Sequence, residues 1–87
     1  MISVWVPALL RSLCGGATRL EVEGATLGEV LRALDRRCPG LYGRVVEDGR
    51  VRPDLAVAIN GEVLSPALYE RLAPGTELTL VPAIGGG

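Results

Sequence analysis

One stretch of this chain carries a helical period. In TLGEVLRALDRRCPG, residues 26–40, Leu27, Val30, Leu31 and Leu34 recur at i, i+3, i+4, i+7, and Cys38 extends the stripe. Thr26 and Glu29 have the spacing of a capping box, and Pro39-Gly40 ends the segment. Elsewhere the dominant pattern is alternation. ISVWV (2–6) sets Ile2, Val4 and Val6 against Ser3 and Trp5, and RLEVE (19–23) sets Leu20 and Val22 inward. LAVAI (55–59) sets Leu55, Val57 and Ile59 against Ala56 and Ala58, and ELTLV (77–81) sets Leu78 and Leu80 against Thr79 and Val81. One helix covers one face of such a sheet and leaves the other open. The layout is α+β, a sheet of four to five strands on one main helix.

The connections are read from turn chemistry. Asn60-Gly61 is a strong two-residue hairpin signal, and Asp48-Gly49 and Pro74-Gly75 mark further turns. LYGRVVEDGRVRPD (41–54) reads as an irregular connection with a short helical or strand fragment. Ser65-Pro66 has the cap-then-proline form of a short helical turn through Leu68 and Leu72. No internal repeat or second domain is visible, so residues 1–87 form a single domain, with 83–87 expected as a flexible glycine tail.

Composition narrows the chemistry. All nine basic residues are arginine, histidine and lysine are absent, and the net charge is −1. The commonest general base and the Schiff-base nucleophile are therefore missing, and the charge gives no reason to bind nucleic acid or an acidic membrane. An enzyme acting alone is poorly served by this set. Cys14 and Cys38 lack a Cys-x-x-Cys spacing and any histidine, so no metal site is expected. They can pair in an oxidising compartment. The opening MISVWVPALLRSLCGG is expected to be structure and not a signal peptide, because no basic residue precedes the apolar stretch, Pro7 interrupts it and Arg11-Ser12-Leu13 is not a small-residue cleavage site. No run is long enough to span a membrane. The expectation is a cytoplasmic protein with both thiols reduced, Cys14 in a loop without a role and Cys38 in the core. Arg11, Arg36, Arg37 and Arg44 are read as solvated surface.

The element order, AINGEVL, and LAPGTELTLVPAIGGG ending in Gly86-Gly87 together resemble the MoaD/ThiS family of ubiquitin-like sulfur carriers, which have the β-grasp fold. The resemblance covers essentially the whole chain. It implies a protein co-substrate and not an enzyme. A partner adenylating enzyme would activate the Gly87 carboxylate with ATP, and sulfur would then replace AMP to leave a thiocarboxylate. That group would donate sulfur in the site of a second partner, a synthase. No bound cofactor is implied. Gly85 and Gly86, which have no side chain to clash, would thread those active sites. The outward residues Trp5, Ala56, Ala58, Thr79 and Val81 would form the docking patch leading to the tail.

The pathway is read from local departures. Pro7 in VPALLR and the single Pro82 before Ala83 in VPAIGGG look closer to the carrier that supplies sulfur for cysteine synthesis from O-phosphoserine. There the acceptor is cysteine synthase-like, and a hydrolase releases the product from Gly87. The alternatives are a molybdopterin synthase small subunit, whose partner is the large subunit, and a ubiquitin-like modifier conjugated through Gly87.

Overall fold

The computed structural model describes residues 1–82; the expected tail, 83–87, lies outside the described residues. In chain order the elements are β1 (Ile2–Trp5), a 3-10 helix (Ala8–Cys14), β2 (Arg19–Val22), α1 (Leu27–Arg37), α2 (Leu41–Val45), β3 (Val46–Glu47), β4 (Arg50–Val51), β5 (Leu55–Ile59), β6 (Glu62–Leu64) and β7 (Glu77–Pro82). Five strands make one sheet in the order β2-β1-β7-β5-β6, and β3 and β4 form a separate ribbon. β1 and β7 are parallel at the centre, and the remaining pairings are antiparallel.

The capping box forms. The Thr26 hydroxyl accepts from the Glu29 backbone N–H at 3.2 Å, and the Glu29 carboxylate accepts from the Ala25 N–H at 2.8 Å. The reciprocal bond thus lands one residue before the cap. Leu27, Val30, Leu31 and Leu34 are fully buried against Ile2, Val4, Val57, Leu78 and Leu80. Each such side chain contributes about 1.5–3 kcal/mol of transfer free energy.

Gly24 shows how closely β2 joins α1. A Cβ there would sit 2.8 Å from the Val30 backbone nitrogen and 2.8 Å from Val30 Cγ2. Gly24→Ala is expected to cost about 1–3 kcal/mol in overpacking, read as a lowered urea midpoint at unchanged slope. A neutral result would mean that this junction gives way.

The helical turn expected after Ser65-Pro66 is absent. Residues 65–72 run as irregular backbone whose carbonyls face the start of α1: Leu68 O and Glu70 O accept from the Gly28 and Leu27 N–H groups at 2.8 and 2.9 Å. Those N–H groups belong to the first turn of α1, which has no partner within the helix, and satisfying them overrides the local cap-proline preference. Both Gly-containing hairpins hold, with Asp48 and Asn60 at φ 55° and 50°, followed by Gly49 and Gly61 at 74° and 87°.

The cysteines differ from expectation most. Cys14 and Cys38 are joined as a disulfide and are not two thiols. Cys14 closes an ordered 3-10 helix and is not a loop residue. Cys38, as expected, is in the core. The reason is spatial. The chain leaves β1 at Pro7 and passes over the C-terminal end of α1, where Cys38 takes the C-cap position.

Candidate docking face and tail root

The face of the sheet away from α1 is set by register. One row runs across all five strands: Arg19 pairs with Trp5, Trp5 with Thr79, Thr79 with Ala58, and Ala58 with Val63. Paired residues point to the same face, so these five side chains lie side by side. In the next row Ala56 pairs with Val81, one step closer to the end of β7.

The row has a profile. Trp5 is 41 % exposed and Val63 is 64 % exposed, whereas Ala58 between them is only 7 % exposed and Thr79 is half-buried. Short side chains make a floor, and Trp5 and Val63 make its walls. Trp5 is fixed in place: its indole N–H donates to the Glu77 carboxylate at 3.3 Å, and the Arg19 guanidinium lies 5.6 Å from the ring centroid. Arg19 also donates to the Ser3 hydroxyl at 2.9 Å. A held aromatic ring loses little freedom when a partner covers it.

The trough runs out at Pro82, the last residue of β7. Because β1 and β7 are parallel, the end of β1 and the 3-10 helix lie at the same end of the sheet. A hollow of about 330 Å³ there is lined by Trp5, Pro7, Arg11 and Thr79. A second, of about 180 Å³, is lined by Pro7, Leu9, Leu10, Arg44, Leu55 and Pro82. The Arg11 Nε–H donates to the Val6 carbonyl at 3.0 Å and ties the 3-10 helix to β1. Arg52 and Asp54 also line the second hollow, and Arg52 bridges Glu47 and Asp54, both at 3.1 Å. The hydrogen bond from Arg52 holds the Asp54 carboxyl below the usual carboxylate range. A wider hollow, lined by Glu29, Arg32, Arg36 and Arg71 among others, is at the opposite end of the sheet from Pro82.

Among the described residues no group of His, Cys, Asp or Glu side chains is placed to hold a metal, and no helix is long and apolar enough to cross a membrane.

The ThiS family model matches residues 4–87, nearly the full chain. The chain belongs to the ThiS family. Small archaeal modifier protein 1 of Haloferax volcanii is 41 % identical over 81 residues, spanning 90 % of this chain and 91 % of that protein. Sulfur carrier protein CysO of Mycobacterium tuberculosis is 29 % identical over 91 residues, spanning 99 % and 98 %. A chain of the Amycolatopsis orientalis BexX/CysO complex superposes with a TM-score of 0.90 at 30 % identity, with both chains covered in full. The five-stranded mixed sheet with α1 packed on it is the β-grasp fold. These relatives carry the names of carriers and modifiers, not of catalysts.

Set within this ThiS-family fold, the sequence-derived docking residues fall together. Trp5, Ala58 and Thr79 share one row, and Ala56 and Val81 share the next. Val63 was not among the expected residues, yet it stands on the same face, and its signal was present in the sequence. A two-residue Asn60-Gly61 turn pairs Ile59 with Glu62, and so places Val63 opposite Ala58 on the open face. Gly85, Gly86 and Gly87 lie outside the described residues.

Proposed function

We propose that this ThiS-family chain is a sulfur carrier that works through the carboxylate of Gly87. The observation that carries the reading is an apolar trough leading to Pro82, from which residues 83–87 continue into a glycine run inside the family match. Five residues span at most about 17 Å, enough to enter a partner's active site while the folded body docks outside.

The chemistry follows from the carboxylate. With an ordinary pKa of about 3.3–3.7 it is ionised at neutral pH and resists nucleophiles. Its oxygen attacks the α-phosphorus of ATP in the partner adenylating enzyme, and pyrophosphate leaves. The mixed anhydride is electrophilic, and a sulfur nucleophile displaces AMP to give the thiocarboxylate. Glycine next to the reacting carbon removes the side chain that would block a narrow channel. The chain contributes position and the reacting carboxyl, and the two partners contribute catalysis. ATP places this work in the cytoplasm.

The resemblance to CysO supports delivery to a cysteine synthase-like acceptor that uses O-phosphoserine, followed by hydrolytic release from Gly87. The 41 % identity to small archaeal modifier protein 1 supports a second reading, conjugation through Gly87 to lysines of target proteins. Both begin with the same adenylate.

Intact-mass analysis of the protein from its native cells separates them. An oxygen-to-sulfur exchange on Gly87 supports the carrier. Amide-linked conjugates that survive thiol reagents support the modifier. A Gly87 that stays unmodified with ATP, sulfide and the host's adenylating enzymes supplied removes both.

A further inference from the structure

We propose that the Cys14–Cys38 bond is a thiol-exchange site, attacked at Cys14, that sets how firmly the 3-10 helix is held beside the tail root. The two sulfurs sit in different surroundings. Cys38 is the C-cap of α1 and is fully buried, whereas Cys14 is partly exposed at the end of the Ala8–Cys14 helix. A reductant therefore reaches the bond from the Cys14 side.

The 3-10 helix has few other anchors. Leu10 is its one fully buried residue, no side chain caps its N-terminus, and sheet pairing resumes only at Arg19. The Arg11–Val6 bond holds its first half, and Leu13 and Cys14 pack partly on the core. The disulfide ties its last residue to α1 across 24 positions of sequence. A covalent link across a loop of that size removes much of the freedom the segment would otherwise have. The same segment carries Leu9, 73 % exposed, and lines the hollow that Pro82 borders.

The exchange balances with a dithiol reductant. A thiolate attacks Cys14 Sγ, the Cys14–Cys38 bond breaks, and the departing electron pair stays on the Cys38 sulfur, which takes up a proton. The reductant's second thiolate then attacks the mixed disulfide, releases Cys14 as a thiol and leaves as the oxidised reductant. Two electrons and two protons pass to the protein. Oxidised, the wall of the tail root is preorganised; reduced, it opens on its own.

The test is hydrogen exchange on the full chain, air-oxidised and then treated with dithiothreitol, together with mapping of glutathione adducts. On reduction, amides of residues 8–17 are expected to exchange roughly tenfold faster or more, while Val4, Leu78 and Leu80 stay protected. Glutathione is expected to form its adduct on Cys14. Cys14→Ser leaves Cys38 in the core and is expected to reproduce the reduced pattern. Two alkylatable thiols after air oxidation, an adduct on Cys38, or unchanged exchange at residues 8–17 would each overturn the proposal. None of these readouts needs an adenylating enzyme, so they stand apart from the carrier reading.

Discussion

Shortening Leu34 to alanine is expected to destabilise the oxidised protein by about 2–5 kcal/mol. Leu34 is fully buried in the single core, on the last full turn of the stripe that binds α1 to the sheet. Its neighbours are held on three sides: by the sheet, by α2 packed on α1, and by the disulfide at Cys38 one turn on. The cavity therefore has little room to collapse, which puts the effect in the upper half of the range. A domain of this size has roughly 4–13 kcal/mol of stability in total. The loss corresponds to a fall of about 8–40 °C in midpoint, measured by circular dichroism. Leu9→Ala, at an exposed leucine, is the control and is expected to stay within about 0.5 kcal/mol. If the two variants melted together, Leu34 would not be part of a close-packed core.

The second large effect concerns binding. Ala56→Glu puts a carboxylate on the trough floor, paired in register with Val81 and one row from the Trp5–Thr79–Ala58–Val63 line. In the free protein the new side chain reaches water, because Ala56 is only half-buried, and stability is expected to change little. When a partner covers the floor, the charge is taken out of water. Burying it costs about 2–5 kcal/mol, a rise of roughly 30-fold or more in dissociation constant for the adenylating enzyme. Calorimetric titration of the two proteins measures it. Unchanged affinity with an unchanged fold would remove the open face from the docking surface.

The sequence revealed most where a local rule and the tertiary packing agree. The Thr26–Glu29 box, the Leu27–Leu34 stripe and the Asn60-Gly61 turn each have a short-range cause, and each is present in the structure. Asn60 does more than turn the chain: its side-chain carbonyl accepts from the Glu77 N–H at 2.9 Å and fastens the hairpin to β7. Ser65-Pro66 misled because the need lay elsewhere, in the N–H groups of Leu27 and Gly28. The 3-10 helix was hidden because its seven residues are too few to declare a helical period. The disulfide was missed by arguing from compartment, whereas the deciding fact is that two distant segments meet. On the open face of the sheet, alternation indicated which residues point outward, but only pairing across strands showed which of them stand tall. Ala58 gives shape to the trough while presenting almost no surface of its own.

The parallel pairing of β1 with β7 at the centre of the sheet has a consequence for synthesis. β1 is synthesised well before β7 and has one edge waiting for it. Until Glu77–Pro82 has emerged, β1 and β2 form only a hairpin, and β5 and β6 another, with α1 lacking the middle of its platform. Such non-local closure is slow compared with that of helical domains of equal size. The strand that completes the sheet is also the strand that leads into the glycine run. The open face and the strand that leads into the glycine run are therefore completed in one step, and a chain stalled before β7 has neither.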